Sequence, residues 1–144
     1  MSEDALWKEI RPMLKGRGIH ASRVESHSTS PGFPDVDLCI EGVEFTIELK
    51  FGTDKKLPEV RDSQILWHRR RVKAGGRAAI LAKLMLGNSP HYMFYHGRYL
   101  NDLFQCKTSA EWIKVPGVFV PSLNKQTLID CLMQTLHTYD EFSL

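Results

Sequence analysis

Polar and apolar residues alternate along the chain in two consecutive runs. From 35 to 41, Asp35, Asp37, Cys39 and Glu41 alternate with Val36, Leu38 and Ile40. From 44 to 50, Glu44, Thr46, Glu48 and Lys50 alternate with Phe45, Ile47 and Leu49. A period of two marks strands with one buried face, because successive side chains point to opposite sides. The two runs predict a β-hairpin. One face is apolar and belongs to the core; the other carries the two aspartates, Glu48 and Lys50. With Gly42 and Val43 as a two-residue turn, Asp37 lies opposite Glu48 and Asp35 opposite Lys50. Asp35 and Glu48 are then diagonal neighbours, about 7 Å apart at the backbone.

The remaining pattern surrounds this hairpin. A helix is expected over 3–15, with Pro12 bending or ending it, and a strand over 19–25. Pro58 and the acids Glu59 and Asp62 open a helix over 59–74. Arg69 to Lys73 suit its last turn and Gly75-Gly76 ends it. Val60, Gln64, Trp67 and Arg71 share one stripe of that helix. Strands follow over 77–85 and 91–96. The order α-β-β-β-α-β is that of an α/β (α+β) domain, a mixed central β-sheet flanked by helices. Residues 1–100 form the expected core and residues 101–144 a helical C-terminal extension. Leu128, Cys131, Leu132 and Leu136 make an apolar stripe there, packed on the same domain or against a dimer partner.

Composition narrows the class. With 144 residues, 42% hydrophobic and 25% charged, the chain suits one globular domain. No stretch has the length and apolarity of a membrane span, and the start lacks a signal-peptide pattern. Cys39, Cys106 and Cys131 are far apart with no CxxC pair, as expected of reduced packing residues in a cytoplasmic protein. The histidines show no zinc-ligand spacing; His27 lies near the 30–34 loop, where it either touches substrate or is an ordinary loop residue. Charge is local. Between Lys55 and Arg77 there are eight basic residues against two acids, a net +6, although the whole chain is only +2. A basic block beside carboxylates suits a polyanionic substrate.

Asp35, Asp37 and Glu48 on one face repel one another unless a cation, or Lys50, sits among them. Hard Mg²⁺ is held by one or two carboxylates, waters and substrate phosphate oxygens. Asp35 and Glu48, with the backbone carbonyl of Leu49, are the candidate metal ligands, and Asp37 is a rival to Asp35. The Gly/Pro-rich run Ser30-Pro31-Gly32-Phe33-Pro34 leads straight into Asp35. Glu25 is either a further acid of the site or a surface partner of Arg23. Arg61, Arg69, Arg70, Arg71 and Lys73 are candidates to hold a nucleic-acid backbone.

The run GFPDVDLCIEGVEFTIELK, followed by a helix carrying RDSQILWHRRRVKAGGRAAIL, resembles the PD-(D/E)XK nuclease superfamily. Within it the chain is most similar to small stand-alone virus-type replication-repair nuclease (VRR-NUC) domains, many of them encoded by bacteriophages. RVES and PGFPDVD strengthen that likeness, which covers residues 3 to 97. The resemblance implies a restriction-endonuclease-like core and Mg²⁺, with Mn²⁺ as substitute. It makes Asp35 and Glu48 metal-binding acids and Lys50 the residue that orients the attacking water; Gln64 matches a helix glutamine found near such sites. An acid from the first helix or first strand often joins; Glu25 is the first choice, with Glu3 and Glu9 as rivals. The implied activity is a metal-dependent DNA endonuclease in replication, recombination or repair. Similarity to archaeal-type Holliday-junction resolvases implies a homodimer selective for branched DNA. A nickase or endonuclease without structural preference, or a non-cleaving nucleic-acid-binding module, are the alternatives.

Overall fold

The computed structural model describes residues 2–25 and 31–142. Its elements are α1 (Glu3–Ile10), β1 (Ile19–Arg23), β2 (Val36–Ile40), β3 (Val43–Thr53), α2 (Asp62–Lys73), β4 (Ala78–Leu86), β5 (Ser89–His96), α3 (Leu100–Gln105), α4 (Ser109–Trp112), β6 (Val118–Val120) and α5 (Lys125–Phe142). The strands form one six-stranded sheet in chain order. All neighbours are antiparallel except β3 and β4, which α2 joins as a parallel crossover. This is the expected α+β class, a mixed sheet with flanking helices.

The sheet is covered on both faces. Leu6 and Ile10 of α1 and Leu128, Cys131, Leu132 and Leu136 of α5 pack on Val36, Leu38, Phe45, Ile47, Leu49, Ala79 and Leu81. On the opposite face, Ile65 of α2, Leu100 and Leu103 of α3 and Trp112 of α4 pack on Ile80, Ala82, Leu84, Met93 and Tyr95. A fully buried Leu or Ile contributes about 1.5–3 kcal/mol, so both faces carry the fold. The stripe predicted on α5 therefore packs within this domain. The tail also supplies β6, a strand the sequence pattern did not reveal, paired to β5. No helix among the described residues is long and apolar enough to cross a membrane.

Several boundaries differ from expectation. The first helix ends at Ile10, and a 3₁₀ turn over Arg11–Met13 contains Pro12, since proline cannot donate to an α-helical turn. The second begins at Asp62, three residues later than expected. The hairpin turn is Glu41-Gly42, with φ of 48° and 79°. Such tight turns need positive φ at both central residues, which a β-branched Val43 resists and Gly42 accepts. Ile40 pairs with Val43, and Asp37 with Thr46. The expected pairing of Asp37 with Glu48 is thus corrected by two residues. A two-residue offset keeps every side chain on its face, so the predicted faces survive the wrong register.

Candidate active site

Continuing the observed register one step beyond Val36–Ile47 brings Asp35 level with Glu48. At this level β2 has ended, and the Asp35 carboxylate replaces a ladder partner: Leu49 N donates to Asp35 Oδ2 at 2.8 Å. The loop before it is anchored on the first turn of α2. Gly32 has φ +83°, and a Cβ there would fall 2.0 Å from the Ser63 carbonyl oxygen. Only glycine fits that close approach. His27 and Ser30 lie outside the described residues.

Glu48 and Lys50 follow each other on the same face of β3, but that face is not solvated. Both residues are only 1% exposed, because α2 and the segment leading into it pack over them. The Lys50 ammonium donates to the Glu59 carbonyl and to Gln64 Oε1 at 2.9 Å. It lies 3.4 Å from Glu48 Oε1 and 3.9 Å from Glu3 Oε1. Gln64 ties these groups together. Its Oε1 also accepts from Arg61 N at 3.0 Å, capping α2, and its Nε2 donates to Glu48 Oε1 at 2.7 Å. His68, one turn on, donates through Nδ1 to the Gln64 carbonyl at 2.9 Å. Burial holds that imidazole neutral, with its pKa lowered to about 4.

The second oxygen of Glu48 stands out. Oε2 is buried and has no hydrogen-bond partner among the described residues. Burial first, and then the charge of nearby Asp35, push the Glu48 pKa up to about 8, against the pull of Lys50. Burial also raises Glu3, with Lys50 opposing and Asp35 adding to the effect. An orphaned carboxylate oxygen beside a second carboxylate is a hard-oxygen donor set short of a positive charge, which a divalent cation fits. No group of three or more His, Cys, Asp or Glu placed to hold a metal occurs among the described residues. The donors on hand are thus two carboxylates, the number at which Mg²⁺ still keeps waters and substrate oxygens.

The other candidates fall in different places. Asp37 is exposed, between Ser22 and Thr46. Glu25 is exposed and lines a shallow cleft with Asp4, Trp7, Arg11 and Arg23. Glu9 bonds Lys83 and Tyr92 on the opposite face of the sheet. Of the three acids weighed for a third position, Glu3 is the one beside Lys50. Arg61, Arg69, Arg70, Arg71 and Lys73 are all exposed. Arg61 pairs with Glu59. Arg70 and Arg71 border one cleft of α2, and Arg69 and Lys73 another. Sequence reasoning missed the Glu59 carbonyl as a Lys50 partner; a backbone contact leaves no residue signature.

The chain is also similar to solved structures. No protein-family model and no curated protein matches the chain. Among solved structures it is similar to Archaeoglobus fulgidus Hjc, a Holliday junction resolvase from an archaeal hyperthermophile. That similarity has 22% identity and a TM-score of 0.39, and covers 65% of this chain and 72% of the other.

Proposed function

We propose that the protein is a divalent-metal-dependent DNA endonuclease of the PD-(D/E)XK type, VRR-NUC-like, that hydrolyses phosphodiester bonds in branched DNA such as Holliday junctions. One observation carries this reading: Glu48, whose buried Oε2 has no partner among the described residues, lies near Asp35, with Lys50 3.4 Å from its other oxygen. Asp35 and Glu48 would hold Mg²⁺ or Mn²⁺. A strand residue directs its N–H and C=O to the same side, so the Leu49 carbonyl opens toward Asp35 and can join them. Bound there, the metal supplies Lewis-acid polarisation of the scissile phosphate and a more acidic water.

The chain's own groups do the rest. Gln64 holds Glu48 and Lys50 in a fixed relation. Lys50 spends two of its three donors on Glu59 and Gln64. The third, toward Glu48 at 3.4 Å, is the one that turns to the attacking water and the developing negative charge. Glu3 is the third acid of this reading, and the exposed arginines of α2 hold the phosphate backbone, making affinity fall steeply with salt. A homodimer would set one site on each of two strands of a four-way junction, matching its symmetry.

The test is an Mg²⁺ or Mn²⁺ cleavage assay of wild type and Glu48→Gln on four-way junction, flap, single-stranded and linear duplex DNA. Paired symmetric nicks in the junction, lost in the variant, are expected; equal cutting of all substrates points to a nickase without structural preference. Undiminished cleavage by the variant would sink the assignment of the site. The enclosure of Lys50 favours a second reading, a non-cleaving DNA-binding module on the same fold. Retained DNA binding with no cleavage in either metal would establish it.

A further inference from the structure

Beside the acid–lysine cluster, the outer side of α2 borders an open cleft of about 420 Å³ lined by Pro31, Ser63, Leu66, Trp67, Arg70 and Arg71. That volume lies in the range of small-molecule sites. The cleft and the candidate active site share two pieces of chain. The loop carrying Asp35 seats Gly32 on Ser63, and Ser63 precedes Gln64. Phe33, two residues before Asp35, meets Trp67 edge-on at 5.1 Å. The Arg71 guanidinium lies over the Trp67 ring, 4.5 Å from its centre.

Packing of the domain accounts for only part of Trp67, whose ring meets that of buried His68 at 5.0 Å. Neither hydrophobic core includes Phe33, Leu66 or Trp67 among its described members. Leu66 is 42% exposed, and Arg70 and Arg71 are exposed as well. A half-buried indole with a phenylalanine ring beside it and a guanidinium over it, and a second arginine lining the same cleft, makes a stacking platform with positive charge around it. Its chemistry matches a nucleotide: a flat π-face joined to a phosphate.

We infer that this cleft is a base-binding subsite, taking one unpaired nucleobase of the DNA next to the scissile phosphate. The base stacks against the Trp67–Arg71 pair, and Arg70 meets an adjoining phosphate. The inference rests on the nuclease reading above and deepens it by naming an unstacked nucleotide as the feature recognised. Every base presents a π-face, so the subsite is indifferent to sequence. A base within continuous duplex must first be unpaired and unstacked to enter. One at a branch point, flap or single strand enters at less cost, which is a source of selectivity.

The test uses 2-aminopurine placed in turn at each unpaired position of a flap and a four-way junction, with binding measured without divalent cation so that nothing is cut. Wild type is expected to quench its emission at one position. Trp67→Ala is expected to abolish that quenching and to lower the preference for unpaired over fully paired DNA about ten-fold. Trp67→Phe, which keeps a stacking ring, is expected to restore most of the preference. Emission unchanged at every position when wild type saturates the DNA overturns the inference without any variant. A preference unaltered in folded Trp67→Ala overturns it too. Cleavage in Mg²⁺ separates the two readings. Cutting without quenching removes the subsite and leaves the nuclease; quenching without cutting keeps the subsite and removes the nuclease.

Discussion

Two polar clusters lie on opposite faces of the same sheet, each built from a glutamate and a lysine. On the α1 face, Glu9 Oε1 accepts from Lys83 at 2.9 Å, and Oε2 accepts from the Tyr92 hydroxyl. Both carboxylate oxygens are satisfied. Burial opposes the charge on Lys83, yet its bonds to Glu9 and Tyr92 win and raise its pKa. On the α2 face, among the described residues, Glu48 uses only Oε1, and Oε2 stays buried without a partner. An unsatisfied buried acceptor costs about 1–3 kcal/mol, and Asp35 adds like charge. The first cluster is a closed staple between α1 and the β4–β5 pair. The second is open, with a donor set that fits a divalent cation. Residue types alone do not separate them; the unmet acceptor does.

The comparison breaks most sharply in cleavage. Asp35→Asn, Glu48→Gln or Lys50→Met should each lower single-turnover cleavage in Mg²⁺ by about 10³-fold or more, with the fold retained by circular dichroism. Glu9→Gln should leave cleavage per folded molecule unchanged and instead cost about 1–2 kcal/mol in urea unfolding. If Glu9→Gln abolishes cutting in folded protein, the two clusters are not functionally distinct.

Gly32→Ala should cost about 2 kcal/mol or more, because a side chain at φ +83° meets the Ser63 carbonyl. It should also slow cleavage by freeing the loop that carries Asp35. A melting temperature and rate equal to wild type would show that the loop does not depend on this contact.

The pH dependence should differ as well. Glu48 in the folded protein has a pKa raised to about 8, from an ordinary 4.5. The folded state therefore holds the proton that the unfolded chain releases between these values. This contribution is fully present below about pH 4.5 and is lost as pH rises to about 8. Mg²⁺ or Mn²⁺ should reverse the loss by binding the ionised form, and Glu48→Gln should remove both the slope and the metal response. His68 acts in the opposite sense: held neutral with a pKa of about 4, it weakens the fold as pH falls from about 6.5. Melting temperatures across pH 5–8, with and without metal, read both limbs; a metal response that persists in Glu48→Gln places the cation elsewhere. The smallest effect should come from Asp37→Asn, exposed opposite Thr46, with cleavage within about two-fold of wild type and stability within about 0.5 kcal/mol.

The hairpin shows how far the chain can be read unaided. Its alternation places Asp35, Glu48 and Lys50 on one face and Ile47 and Leu49 on the other, and this survived a wrong turn and a register error. A repeat of two residues is local, and any even slip preserves it. The basic helix was legible for the same reason, from its stripe and its charged ends. The enclosure of Glu48 and Lys50 was not. Whether a polar face meets water or a helix depends on where α2 lands, and neither strand encodes that. Strand β6 was likewise invisible, since three residues carry too little period to register.

By itself, the sequence determined the class of fold, the shared face of the acids and lysine, and the basic helix that follows them. Each of these is written within a single element by its own repeat. Tertiary structure decided the rest. It set Asp35 rather than Asp37 level with Glu48, brought Glu3 beside Lys50 while sending Glu9 to the other face, and enclosed Glu48 with one oxygen unpartnered among the described residues. It also built the Trp67 cleft from a loop and a helix about thirty residues apart. These depend on contacts between distant segments, whose distances and burial exist only once the whole chain has closed around its two cores.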